Sequence, residues 1–163
     1  MPVIPFEALP DRARVWVFAS EEPLTESARD QLLGAVDAYL AKWQAHGQPL
    51  TSARTWRDDR FLAVGVDQTD AYASGCSIDG LFRTLQLLRP VLGTTLLPGG
   101  CVHYRDPGGD IRAVTRDAFA DLGASGAVTA ETTVFDPTVA TAAEWRERFE
   151  TTAGRSWHHA LLA

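Results

Sequence analysis

Apolar positions along this chain alternate between short unbroken runs and helical spacings. Val15, Trp16, Val17 and Phe18 form one such run between Arg14 and Ala19, the pattern of a strand. Glu21-Glu22-Pro23 stops it. Thr25 is placed to cap a long helix on which Leu32, Leu33, Val36, Tyr39, Leu40 and Trp43 recur at helical spacing. Gly47 and Pro49 predict the end of that helix just after His46. Two β-like runs follow, Ser52 to Arg57 and Arg60 to Asp67, joined at Asp58-Asp59 as a hairpin. A second amphipathic helix opens near Ser77, with Leu81, Phe82, Leu85, Leu88 and Leu92 turned inward, and Pro90 must kink or end it. Cys101 to Arg105 and Asp110 to Val114 flank the turn signal Asp106-Pro107-Gly108-Gly109. A short helix over Arg116 to Leu122, a loop from Gly123 to Ala130 and a short strand over Thr133 to Phe135 complete the middle. Thr141 and Glu144 stand at capping-box spacing before a helix carrying Trp145 and Phe149.

The order β-α-β-β-α-β predicts an α+β fold of the split β-α-β, ferredoxin-like kind: one antiparallel sheet with helices on one face, a hairpin extension and a C-terminal helix. The 163 residues fit a single domain spanning 1–163. A chain of this length buries roughly two-thirds of its unfolded surface, so folding requires neither disulfide nor metal.

Composition narrows the function classes. Hydrophobic residues make up 45% and charged residues 22%, with a net charge of −6, which is ordinary for a globular domain. The acidic balance argues against nucleic-acid binding, which draws on clustered cations, and leaves room for a small basic pocket. Lys42 is the only lysine, so any lysine chemistry must use it. No secretory segment is legible at Met1 to Phe6, and no apolar run approaches the ~20 residues a membrane span needs. Cys76 and Cys101 form no C-x-x-C pair. A cytoplasmic protein with reduced thiols and no membrane contact is therefore expected.

The Walker A loop, the dinucleotide-binding glycine fingerprint, H-E-x-x-H, G-x-S-x-G and an EF-hand loop are all absent from the sequence. No cofactor is implied, and no metal, since the neighbours His158 and His159 do not by themselves supply enough converging ligands. The most unusual segment is Ala73-Ser74-Gly75-Cys76-Ser77-Ile78-Asp79, at the predicted start of the second helix. Unpaired amides there favour anions and lower a thiol's pKa. The segment is open to two readings: an activated Cys76 or anion pocket, and a purely structural start with Ser77 as N-cap, Asp79 against the dipole and Gly75 in a tight turn. Arg54 and Arg60 flank the hairpin as an anion clamp or as a solvated strand face. Trp157 is expected to dock into the core and anchor the tail. Cys101 and His103 share a strand face.

Several of these strings, taken in order, resemble a family of short uncharacterised proteins of Bacteroidetes-type bacteria. They are the early Val-Trp strand, Trp43-x-Ala45-His46-Gly47, Arg60-Phe61, Ala73 through Asp79, Val134-Phe135 and Ser156-Trp157-His158. Where the family continues with Asn-Asn, this chain has Asp136-Pro137. Members often carry the automatic label of ABC transporter ATPase, which the missing phosphate loop contradicts. The resemblance implies that the Cys76 segment, His46 and the Trp157-His158 tail act jointly.

Two functions follow from these residues. One is a binding module for a protein or a small anionic ligand, using Ser74, Gly75, Ser77, Asp67, Arg60, Trp157 and His158. The other is a thiol-dependent enzyme or redox sensor with Cys76 as nucleophile, His46 or His158 as base, and Asp79 beside them. Strand directions in the expected sheet put His46, Asp67, Cys76 and Asp79 along one edge, with the two helices packed about 8–10 Å apart.

Overall fold

Strand β1 (Arg14–Ala19) pairs antiparallel with β5 (Phe61–Asp67), and β5 pairs antiparallel with β4 (Thr51–Arg57), giving a three-stranded sheet in the order β1-β5-β4. The computed structural model describes residues 3–69, 73–96 and 99–162, with the Cys76 side chain left aside. Strand β5 is apolar from Phe61 to Val66 because both its faces are covered there. Leu62, Val64 and Val66 pack against the helices, while Phe61 and Ala63 join the opposite cluster. Gly65 lies directly beneath Leu9, where a Cβ would overlap the leucine side chain.

Helix α1 (Glu26–Ala41) starts at Thr25, whose hydroxyl accepts from the Ala28 amide at 3.2 Å. It buries Ala28, Leu32, Val36 and Leu40, four residues apart along one stripe. Helix α2 (Gly75–Leu87) lies beside it, and α3 (Arg89–Leu92) follows with Pro90 in its first turn, where no amide hydrogen is needed. The hairpin turn at Asp58-Asp59 is present, with both residues left-handed at φ 57° and 55°.

The second half forms its own four-stranded antiparallel sheet, ordered β7 (Ile111–Val114), β6 (Val102–Arg105), β8 (Thr133–Phe135) and β9 (Glu150–Thr152). Helices α4 (Arg116–Ala124) and α5 (Ala142–Arg148) flank it, and the tail coils as a 3-10 turn over Trp157–Leu162. Phe61 of the first sheet stacks on Phe135 of the second, their centroids 5.0 Å apart, and meets Phe149 and His103 at 5.1 Å each.

The α+β class and the antiparallel pairing agree with the sequence. The single ferredoxin-like sheet does not form. Its fourth strand, β6, is paired on both sides by β7 and β8. The outer edge of β1 is covered instead by the extended chain at Ala140-Thr141: the Val15 amide donates to Ala140 at 2.9 Å, and Ala142 donates back to Ala13 at 3.0 Å. An open edge accepts any extended partner, so period-two patterning could not specify which one.

Smaller corrections have local causes. Helix α1 ends at Ala41, because His46-Gly47 is the two-residue turn between β2 (Gln44–Ala45) and β3 (Gln48–Pro49). Both turn residues are left-handed, at φ 53° and 79°, as such hairpins require. The N-cap of α2 is Ser74, not Ser77: the Ser74 hydroxyl accepts from the Ser77 amide at 3.2 Å. Thr141 caps α5 as predicted, but Glu144 returns to the Ala140 amide rather than to Thr141. No helix among the described residues is long and apolar enough to cross a membrane.

Candidate functional site

The end of α1 and the start of α2 meet at a junction. The Ser77 carbonyl, in the first turn of α2, accepts from the Tyr39 hydroxyl at 2.8 Å and from the Trp43 indole at 2.9 Å. The end of α1 is thereby tied to the start of α2. Gly80 makes room for this contact, since a methyl there would land on the Tyr39 hydroxyl. His46 is exposed at the tip of the β2–β3 turn. Asp67 ends β5 and accepts from the Thr69 amide and hydroxyl, which hold its carboxyl below the usual carboxylate range. A cavity of about 280 Å³ beside Tyr39, Lys42 and Trp43 includes none of the predicted site residues in its lining. The Cys76 side chain lies outside the described residues.

The other predicted residues are elsewhere. Arg54 is held bidentately by Asp37, both contacts at 2.8 Å, so it forms no clamp with Arg60. Arg60 donates to the main-chain carbonyls of Glu21 and Ile111, and burial lowers its pKa. Trp157 is only half-buried, whereas His158 is completely buried. The tail packs in the second sheet's cluster with Phe119 and Val134, while Ile78 packs against the helix cluster. Asp136 holds the tail. Its carboxylate accepts from Trp157 Nε1 at 3.1 Å and from Arg148 at 2.7 Å.

A further site lies where the two sheets meet. A cleft of about 500 Å³ is lined from three places: the end of β1 (Glu21), helix α3 with the loop after it (Arg89, Thr94, Thr95), and the start of β6 (Cys101, His103). His103 is 3% exposed, and its Nε2 lies 3.0 Å from the Ser20 carbonyl. A carbonyl only accepts, so Nε2 carries the proton and Nδ1 keeps the lone pair. Desolvation lowers the imidazole pKa, and the Arg60 charge adds to this, which keeps the ring neutral at neutral pH. The Cys101 thiol donates to Glu21 Oε1 at 3.2 Å. Burial, with the Glu21 carboxylate, pushes that thiol up to about 11, so it stays protonated and is a poor nucleophile. Arg89 is exposed and makes no ion pair among the described residues.

A neighbouring cleft of about 480 Å³ lies between the β4–β5 and β6–β7 turns. Two of its arginines are already neutralised, Arg105 by Glu150 and Arg112 by Asp106, so it offers an anion less. In the sequence, the His103 cleft was visible only as two residues sharing a strand face. Glu21 is part of a strand stop, and no sequence signal singles out Arg89. No family model, curated protein or solved structure matches the chain.

Proposed function

We propose that this domain binds a small anionic ligand, without turning it over, in the cleft between β1, α3 and β6. The observation that carries the reading is Arg89. It is a cation with no ion pair among the described residues, on the wall of a cleft that also presents the Thr94 and Thr95 hydroxyls and a buried neutral His103. Small-molecule sites have this character: a concave wall with a few convergent polar groups. The protonated Cys101 favours binding over thiol chemistry here, and the net charge of −6 disfavours nucleic acid as the ligand. The free Cys101 suits the cytoplasmic location expected from the sequence. Membership of the Bacteroidetes-type family is likewise proposed, on the strength of the shared strings.

Calorimetric titration of the full chain with acetate, phosphate and sulfate tests the reading. At least one is expected to bind saturably, and Arg89→Gln is expected to weaken it ten-fold or more. MgATP is expected neither to bind nor to raise the melting temperature, since no phosphate loop is present. The reading fails if no anion saturates or if Arg89→Gln binds like the parent.

A further inference from the structure

Arg89 is not the only uncompensated charge in the cleft. Glu21 lines the same cavity from the end of β1. Its one side-chain hydrogen bond among the described residues comes from the neutral Cys101 thiol, onto Oε1. A neutral donor leaves the carboxylate charge in place. The nearby Arg60 guanidinium does not pair with it, because both its hydrogen bonds go to main-chain carbonyls, those of Glu21 and Ile111. Among the described residues, the cleft thus presents one unpaired cation and one unpaired anion on separate elements.

From this arrangement we infer that the pocket's ligand is zwitterionic, an amino acid or the end of a short peptide, with its carboxylate on Arg89 and its ammonium group on Glu21. The inference rests on the anion-binding reading above. A simple anion entering the cleft meets Arg89 but is repelled by Glu21, and a simple cation meets the reverse. Only a ligand carrying both signs satisfies both, and that difference is what selects it. His103 adds an acceptor at Nδ1, because the Ser20 carbonyl occupies its Nε2 proton, and this acceptor suits a second ammonium or amide hydrogen. Volume fits as well. About 500 Å³ lies within the range of small-molecule sites and leaves room for a side chain beyond the charged ends.

The test is a calorimetric comparison on the full chain, using glycine, L-alanine, L-leucine and the dipeptide Ala-Ala against acetate and ethylammonium. At least one zwitterion is expected to bind ten-fold or more tightly than acetate. Glu21→Gln is expected to reduce it to the acetate level, and Arg89→Gln to remove both. Both side chains are exposed, so the variants should keep the parent's circular dichroism and melting temperature, which are measured alongside. If acetate binds as tightly as every zwitterion and Glu21→Gln changes nothing, the zwitterion inference is overturned while anion binding stands. If nothing saturates, both are overturned.

Discussion

His158 has no exposed surface, its Nδ1 is bonded to the Ser156 hydroxyl at 2.7 Å, and its Nε2 has no partner among the described residues. The Trp157 ring stacks on it at 3.9 Å and Phe119 meets it edge-on at 6.1 Å. Desolvation pushes its pKa from 6.5 to about 4, with Asp136 opposing and Arg116 assisting. The folded ring is therefore neutral where the unfolded ring takes a proton. Its contribution is fully present above pH 6.5 and is lost as pH falls from there toward 4. At roughly 1.4 kcal/mol per unit, the loss is on the order of 3 kcal/mol. Denaturant unfolding of the parent and His158→Gln at pH 8, 6 and 4.5 checks this: the difference in pH slope between them should lie in that window. Cys101 titrates the other way. With its thiol at about 11, a Cys76→Ser variant should alkylate slowly at pH 8 and faster in the added Glu21→Gln background. Fast labelling at pH 7 would contradict the assignment.

Element boundaries turn on short-range contacts of equally definite kind. The α1–α2 junction depends on one helical glycine. Alanine normally stabilises a helix interior by about 1 kcal/mol over glycine. At position 80 the added methyl meets the Tyr39 hydroxyl and must displace it from the Ser77 carbonyl. Loss of that hydrogen bond, worth about 1 kcal/mol, together with the local shift, reverses the usual sign. Gly80→Ala should therefore unfold at lower denaturant than the parent, whereas Gly80→Ala in a Tyr39→Phe background should recover part of the loss. At this scale the sequence was legible. The Thr25 and Thr141 caps, the Asp58-Asp59 turn and the Pro90 break are all found, since each depends on groups a few residues apart. His46-Gly47 was misplaced because a glycine after a helical run signals a C-cap and a hairpin turn equally.

Across the whole molecule, Asp136 ties α5 and the tail to the loop after β8. It is 1% exposed, and it receives Arg148 from α5, Trp157 from the tail, and the Thr138 amide of its own loop. Asp136→Ala should be destabilising, by about 1–3 kcal/mol, since it removes the acceptor of the Trp157 indole and of the Thr138 amide, while Arg148 keeps its pair with Glu144. Asp136→Asn keeps an acceptor for Trp157 and Thr138 and should cost markedly less. Thermal melts of the two variants check the ranking, and equal melting temperatures would remove Asp136 from this role. The kinds of elements, their turns and caps, and the α+β class are legible in the residue order, because side-chain period and backbone capping are local properties. That β6 leaves the first sheet, that Ala140-Thr141 covers β1, and that Glu21, Arg89 and His103 line one cleft emerge only on folding. Those outcomes depend on which open edge meets which extended segment, a competition among partners far apart in the chain that no local pattern encodes.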